Sequence, residues 1–232
     1  MLQSATIQDG GADKTTSRYT RLFAFDIKEL PPRLVGEWVV PLPLSKKNHT
    51  EACSEIHFVR PGVFFVLSRD GDGRGGDDNK SSYKNADLFS IYEATNIQGK
   101  KFDNHLNPIA VNGVLDSSIK PAKYVSFISF IDATQLARFG LHNGMPSHSL
   151  TMVSLKHRAG SPDDSTLLSA KWESFALAPV GDSKFPDDYF LFTAVSTVPQ
   201  VSWDALISEC PSAIMTSWVP MVYLLGSHLM VG

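Results

Sequence analysis

The chain has 232 residues, 43% hydrophobic and 19% charged, enough apolar material for one large β domain or two small ones around a core. Its formal net charge of -3 supplies no basic field for holding a phosphate backbone, so nucleic acid is excluded as the expected partner. Cys53 and Cys210 are too few for a disulfide framework and sit in no zinc-type spacing; one bridge or two free thiols both fit.

Residues Met1 to Gly10 have neither the basic start nor the apolar stretch of a signal peptide, so the sequence as written carries no export signal. Tyr19 to Ile27 is rich in aromatic and branched residues and ends before Pro31-Pro32, which predicts a strand closed by a turn. Val35 to Leu42 predicts the next, with Pro41 stopping it or placing it on an edge. A meander follows: Ser54 to Val59, a turn at Pro61-Gly62, Val63 to Ser68, then Ala86 to Tyr92. Between Ile119 and Leu141, the run Pro121 to Phe127 precedes a short helix, with Asp132 as N-cap, Leu136 to Phe139 at helical spacing and Gly140 as the stop. Met145 to Ser165 is polar and rich in Ser, Pro and His, and reads as a loop.

Glu173 to Ala178, a turn through Pro179 to Pro186, and Asp188 to Thr193 then echo the pair beginning at Glu55: a Glu opens an apolar strand, a turn follows, and an aromatic-rich strand comes after it. Such weak self-similarity is what radial β architectures produce, because one unit cannot bury both of its faces alone. The expected fold is therefore mainly β, a partial β-propeller of antiparallel blades with a short inserted helix, spanning residues 1–194 and beginning inside a blade. Residues 195–232, with three Pro, two Trp and almost no charge, form a divergent apolar tail with no evident blade. Within it, Trp218 to Gly226 is shorter than the roughly 20 residues of a spanning helix and is interrupted by Pro220, so no membrane span is expected.

The densest polar stretch is Arg69-Asp70-Gly71-Asp72-Gly73-Arg74-Gly75-Gly76-Asp77-Asp78-Asn79, directly after an apolar strand. Asp70, Asp72 and Asp77 are candidate oxygen ligands for Ca²⁺, although Ser81 stands where an EF-hand loop needs Glu, which favours the alternative of a solvated turn. Arg69 and Arg74 are candidates for binding an anionic substrate. Glu55 and Glu173 each head a repeated strand, and two carboxylates on innermost strands can bind a cation or act as acid and base. The alternative is that each pairs with a neighbour such as Arg69 or Lys171. His57 shares a face with Glu55 by period 2, so it is either a proton-transfer partner or a structural histidine. His142 and Asn143, beside Gly144, read as turn chemistry. No GxSxG elbow, HExxH or P-loop is present, which disfavours covalent serine catalysis. Two sequons, Asn48-His49-Thr50 and Asn79-Lys80-Ser81, would accept glycans if the protein entered a secretory pathway.

Several segments in one order carry a resemblance: Ser4-Ala5-Thr6-Ile7-Gln8-Asp9-Gly10-Gly11, Ser54-Glu55-Ile56-His57-Phe58, Val66-Leu67-Ser68-Arg69-Asp70-Gly71, Phe139-Gly140-Leu141-His142-Asn143-Gly144 and Lys171 to Pro179. From about Leu2 to Ala194 the chain resembles the phytase-like domain, also called esterase-like activity of phytase, of fungal secreted proteins. The resemblance implies a β-propeller-like fold, a secretory setting for full-length relatives, and hydrolysis of phosphate or carboxylic esters, with a divalent cation as one route to an activated water. It implies no defined catalytic set. Relatives extend before the segment matching Leu2, and after Ala194 they continue with an acidic Asp-Asn-Asp-Phe motif where this sequence reads Val195-Ser196-Thr197-Val198-Pro199. Loss of that motif argues against a complete central metal site. The competing expectations are an ester hydrolase, a non-catalytic propeller scaffold, and an inactive truncated product.

Overall fold

A computed structural model describes residues 1–103, 106–144, 165–184, 186 and 188–195, together with the backbone of 221–225. The predicted loop from Met145 lies outside the described residues up to position 164.

The run Val63-Phe64-Phe65-Val66-Leu67 has no polar residue in either phase of a two-residue period, so its strand must be covered on both faces. That is what the tertiary structure provides. β3 (Ala52–Arg60), β4 (Val63–Arg69), β5 (Lys84–Ser90) and β8 (Lys123–Ser129) form one antiparallel sheet in the order β3-β4-β5-β8. Before it stands a two-stranded sheet of β1 (Tyr19–Asp26) and β2 (Arg33–Pro41); after it comes β9 (Trp172–Pro179), β10 (Tyr189–Val195) and β11 (Met221–Leu225), with β10 in the middle. β6 (Ala110–Val111) and β7 (Val114–Leu115) make a small separate hairpin.

Alternate residues of β4 and β5 serve different cores. Val63, Phe65, Leu67, Ala86 and Leu88 pack with Trp172, Phe175, Leu191 and Val195 of the third sheet, and with Leu136 of the helix α1 (Ala133–Arg138). Val66, Phe89 and Cys53 pack the other way, against Leu22 and Val40 of the first sheet. Phe65, Val66 and Leu67 are all fully buried, and burying each such side chain stabilises the fold by about 1.5–3 kcal/mol. A third cluster of Val39, Ile97, Phe102, Ile109 and Ile119 fastens the segment around 97–119 onto β2.

The predicted helix stands where expected, with the Asp132 side chain accepting from the Gln135 N–H. The strand readings shift at their ends: the final meander strand begins at Lys84 instead of Ala86, and Pro41 is the last residue of β2, paired with Tyr19. The apolar run after Pro121 becomes β8, which completes four strands in the central sheet. Part of the apolar tail, Met221–Leu225, pairs along β10 and so belongs to the third sheet.

Candidate site between two sheets

β3 and β9 approach one another at the junction of the central and third sheets. β3 carries a bulge: Cys53 pairs with Ser68, whereas Glu55 pairs with Leu67, which leaves Ser54 as the extra residue. In a regular strand Cys53 and Glu55 would share a face; the bulge sends the thiol to the first-sheet core and aligns Glu55 with Leu67 and the third-sheet side. His57 pairs with Phe65 on that side.

An open cavity of about 360 Å³ lies here, lined by Met1, Gln3, Cys53, Ser54, Glu55, Ile56 and Glu173. The two glutamates singled out from the repeat therefore meet at one cavity from two sheets. Neither quite opens its strand, since β3 begins at Ala52 and β9 at Trp172. One Glu55 carboxylate oxygen accepts from the Ile56 N–H at 3.1 Å. Glu173 accepts a 2.6 Å ion pair from the Arg69 guanidinium, whose Nε also donates to the Trp172 carbonyl at 2.7 Å. Pairing with Arg69, the alternative role for Glu173, is thus realised, and Arg69 is fixed between the sheets. His57 sets its ring edge-on to Phe175, with 6.1 Å between centroids, a packing contact in the core that Phe65 also joins.

The aspartates of the glycine-rich loop do not converge as a calcium set. Asp70 is buried, and its carboxylate is used up internally: Oδ1 accepts from Lys84 Nζ at 2.9 Å and Ser81 Oγ at 2.8 Å, while Oδ2 accepts from the Ser82 N–H and hydroxyl and from the Tyr83 N–H. Asp72 pairs with Lys47 at 3.3 Å, and Asp77 is exposed. Among the described residues, no three His, Cys, Asp or Glu side chains stand together as a metal group. The positive charge bonded to the loop's Asp70 is the Lys84 ammonium. Arg74 likewise serves the fold, with its backbone bonded to Leu168 and Ala170 and its guanidinium donating to the Ser165 carbonyl at 3.2 Å. Gly73 permits that docking, because it takes φ +115° and a Cβ there would stand 2.5 Å from the Leu168 carbonyl. Asn143 does more than turn chemistry, since its amide holds both the N–H and the carbonyl of Ser81 at 2.9 Å.

Two buried polar centres escaped sequence reasoning. Lys84 is fully buried, and burial lowers its pKa despite Asp70; burial also works against the Asp70 carboxylate, but Lys84 and the Ser81 and Ser82 donors hold it below its ordinary value. In the first sheet, Arg21 donates from Nε and Nη2 to Asp9 at 2.7 and 2.9 Å, and from Nη1 to Glu37 at 2.8 Å and to the Phe102 carbonyl at 2.8 Å. Asp9 also accepts from the Ile109 N–H at 2.9 Å, while Glu37 Oε2 is buried without a hydrogen-bond partner among the described residues. Burial pushes the Glu37 carboxyl up, with Arg21 opposing. Asp9 lies in a stretch that carries the family resemblance, yet no spacing in the sequence marks Arg21 and Glu37 as its partners.

Its antiparallel sheets define the class of this chain as mainly β. Within that class, it is 35% identical over 210 residues to a protein of Arthroderma benhamiae described as an uncharacterized secreted protein, an alignment covering 83% of this chain and 38% of that protein. The chain thus spans well under half the length of this curated relative. No family model matches the sequence, and no solved structure matches it. No helix among the described residues is long and apolar enough to cross a membrane.

Proposed function

We propose that the chain forms successive blades of a β-propeller of the phytase-like, esterase-like kind, and that the cavity between β3 and β9 takes a small phosphate or carboxylic ester. The propeller reading is supported by the central four-stranded meander, covered on both faces by neighbouring sheets. The observation that carries the site is the arrival of Glu55 and Glu173 at one cavity from two blades. One carboxylate would take the proton from an attacking water as its oxygen bonds to the ester centre; the other would give a proton to the departing alcohol as the ester bond breaks. Arg69, bonded to Glu173, sets a fixed positive charge beside it, suited to orienting that carboxylate. The description of the Arthroderma protein supports a secretory setting for this chain as well.

Turnover of phytate and of an aryl acetate by the purified chain tests this reading, with Glu55→Gln and Glu173→Gln as controls. Loss of at least 100-fold in each variant is expected; equal turnover in all three proteins sinks it. A second reading, a non-catalytic binding propeller, is favoured by the internal use of Arg69, Asp70 and His57, which spends on the fold three groups that catalysis was expected to use. It predicts saturable binding at the cavity with no product formed.

A further inference from the structure

The two sequons stand in opposite environments. Asn48 is exposed in a tight turn between Leu44 and Thr50, which form an isolated antiparallel bridge. The turn is closed by the Asn48 N–H donating to the Ser45 carbonyl and the Ser45 N–H donating to the His49 carbonyl, both at 2.9 Å. Asn48 takes φ +59°, a left-handed conformation that asparagine tolerates and that suits a turn tip. Lys47 anchors this turn to the glycine-rich loop through Asp72 at 3.3 Å and Asp78 at 3.7 Å. Asn79, by contrast, is half-buried and engaged in an interaction of its own. Its sequon hydroxyl, Ser81 Oγ, is buried against Asp70, and the Ser81 backbone is clasped by Asn143.

We propose that Asn48 is an N-linked glycosylation site and that Asn79 is not occupied in the folded protein. The donor is a lipid-pyrophosphate oligosaccharide. The Asn48 Nδ2 forms a bond to the anomeric carbon and gives its proton to a base of the transferase, while the bond from that carbon to the pyrophosphate oxygen breaks and the lipid pyrophosphate leaves. A glycan is bulky and hydrophilic, so it is compatible with an exposed turn and not with a half-buried asparagine whose loop is packed on Lys84 and Asn143. The Thr50 hydroxyl, which the transferase must read, is buried and has no hydrogen-bond partner among the described residues. Transfer therefore precedes closure of the turn. This inference rests on the secretory setting proposed above.

Translation of the full chain behind an added cleavable signal sequence, with endoplasmic reticulum microsomes, tests it independently of natural export. Only protease-protected chains are scored, and sites are read by glycosidase release in ¹⁸O water followed by peptide mass measurement. Among protease-resistant folded chains the expected result is one glycan, at Asn48, abolished by Asn48→Gln and by Thr50→Ala and unchanged by Asn79→Gln. Protected chains with Asn48 bare, or protease-resistant folded chains glycosylated at Asn79, overturn the proposal. Chain folded before it meets the enzyme and donor should stay unmodified, while a synthetic peptide of residues 44–52 is modified; equal modification of both would refute the order of events. Loss of natural export with Asn48 still modified in microsomes would sink the secretory setting and leave the acceptor assignment standing.

Discussion

Two buried ion clusters among the described residues differ in their arithmetic. At the junction of the second and third sheets, one carboxylate, Asp70, meets one ammonium, Lys84, and every Asp70 oxygen has further donors. In the first sheet, two carboxylates, Asp9 and Glu37, share one guanidinium, and Glu37 Oε2 has no hydrogen-bond partner among the described residues. The first cluster is a closed pair that locks a loop between two sheets. The second places two carboxylates on one guanidinium inside the fold, and its Glu37 responds to pH in the direction opposite to Asp70. Burial alone therefore does not decide what an ionic group does for stability; the count of partners does.

The largest effect should come from Arg21→Met, which leaves two buried carboxylates unpaired. Removing one partner of a buried pair costs about 3–5 kcal/mol, and this variant should sit at the top of that range in urea denaturation. Lys84→Met should cost less, near the bottom of about 3–5 kcal/mol, because Asp70 keeps its donors from Ser81, Ser82 and Tyr83. The double variant Asp70→Asn, Lys84→Met should recover part of that loss, and a double-mutant cycle measures the coupling. If Lys84→Met proves as costly as Arg21→Met, the contrast between the clusters breaks.

Acid titration sharpens the same contrast. Asp70 is held below its ordinary carboxylate value, so its contribution is complete above the unfolded value and is lost as pH falls through the folded one. Glu37 is raised, so its contribution is complete below the unfolded value and is lost as pH rises through the folded one. Melting temperature followed across acid pH should therefore show a smaller low-pH fall in Asp70→Asn and a smaller fall at higher pH in Glu37→Gln. Near neutral pH, Glu37→Gln should change stability by about 1 kcal/mol or less, since it removes an excess charge while an amide oxygen still accepts from Arg21. The smallest stability effect belongs to Glu173→Gln: its partner is fixed but Glu173 itself is substantially exposed, and such pairs are worth about 0–1 kcal/mol. Calorimetry of that variant should overlay the parent, so any loss of turnover reports on the cavity.

Much of the fold was legible because its causes are local. The unbroken apolar run from Val63 to Leu67 announces a strand covered on both faces, and the pairs beginning near Glu55 and Glu173 each form antiparallel strands. Asp132 and Gly140 bracket the helix by capping chemistry alone. The Asp70 loop has the composition of a metal loop, and only the tertiary structure reveals that Lys84, at the start of the next strand, bonds to Asp70.

By itself, then, the sequence determined most of the strand-forming segments and the helix, since period, caps and turn residues act over a few positions. Tertiary structure decided everything that depends on distant partners. The bulge at Ser54 separated Cys53 from Glu55, and Arg69 was drawn to Glu173 across the gap between two sheets. Asp9 found Arg21 and Glu37 in the same way. It also separated two sequons of equal chemistry, placing Asn48 on an exposed turn and packing Asn79 into a loop held by buried bonds. Long-range packing fixes which polar groups meet, because burial leaves each of them the choice of a partner or a large desolvation cost.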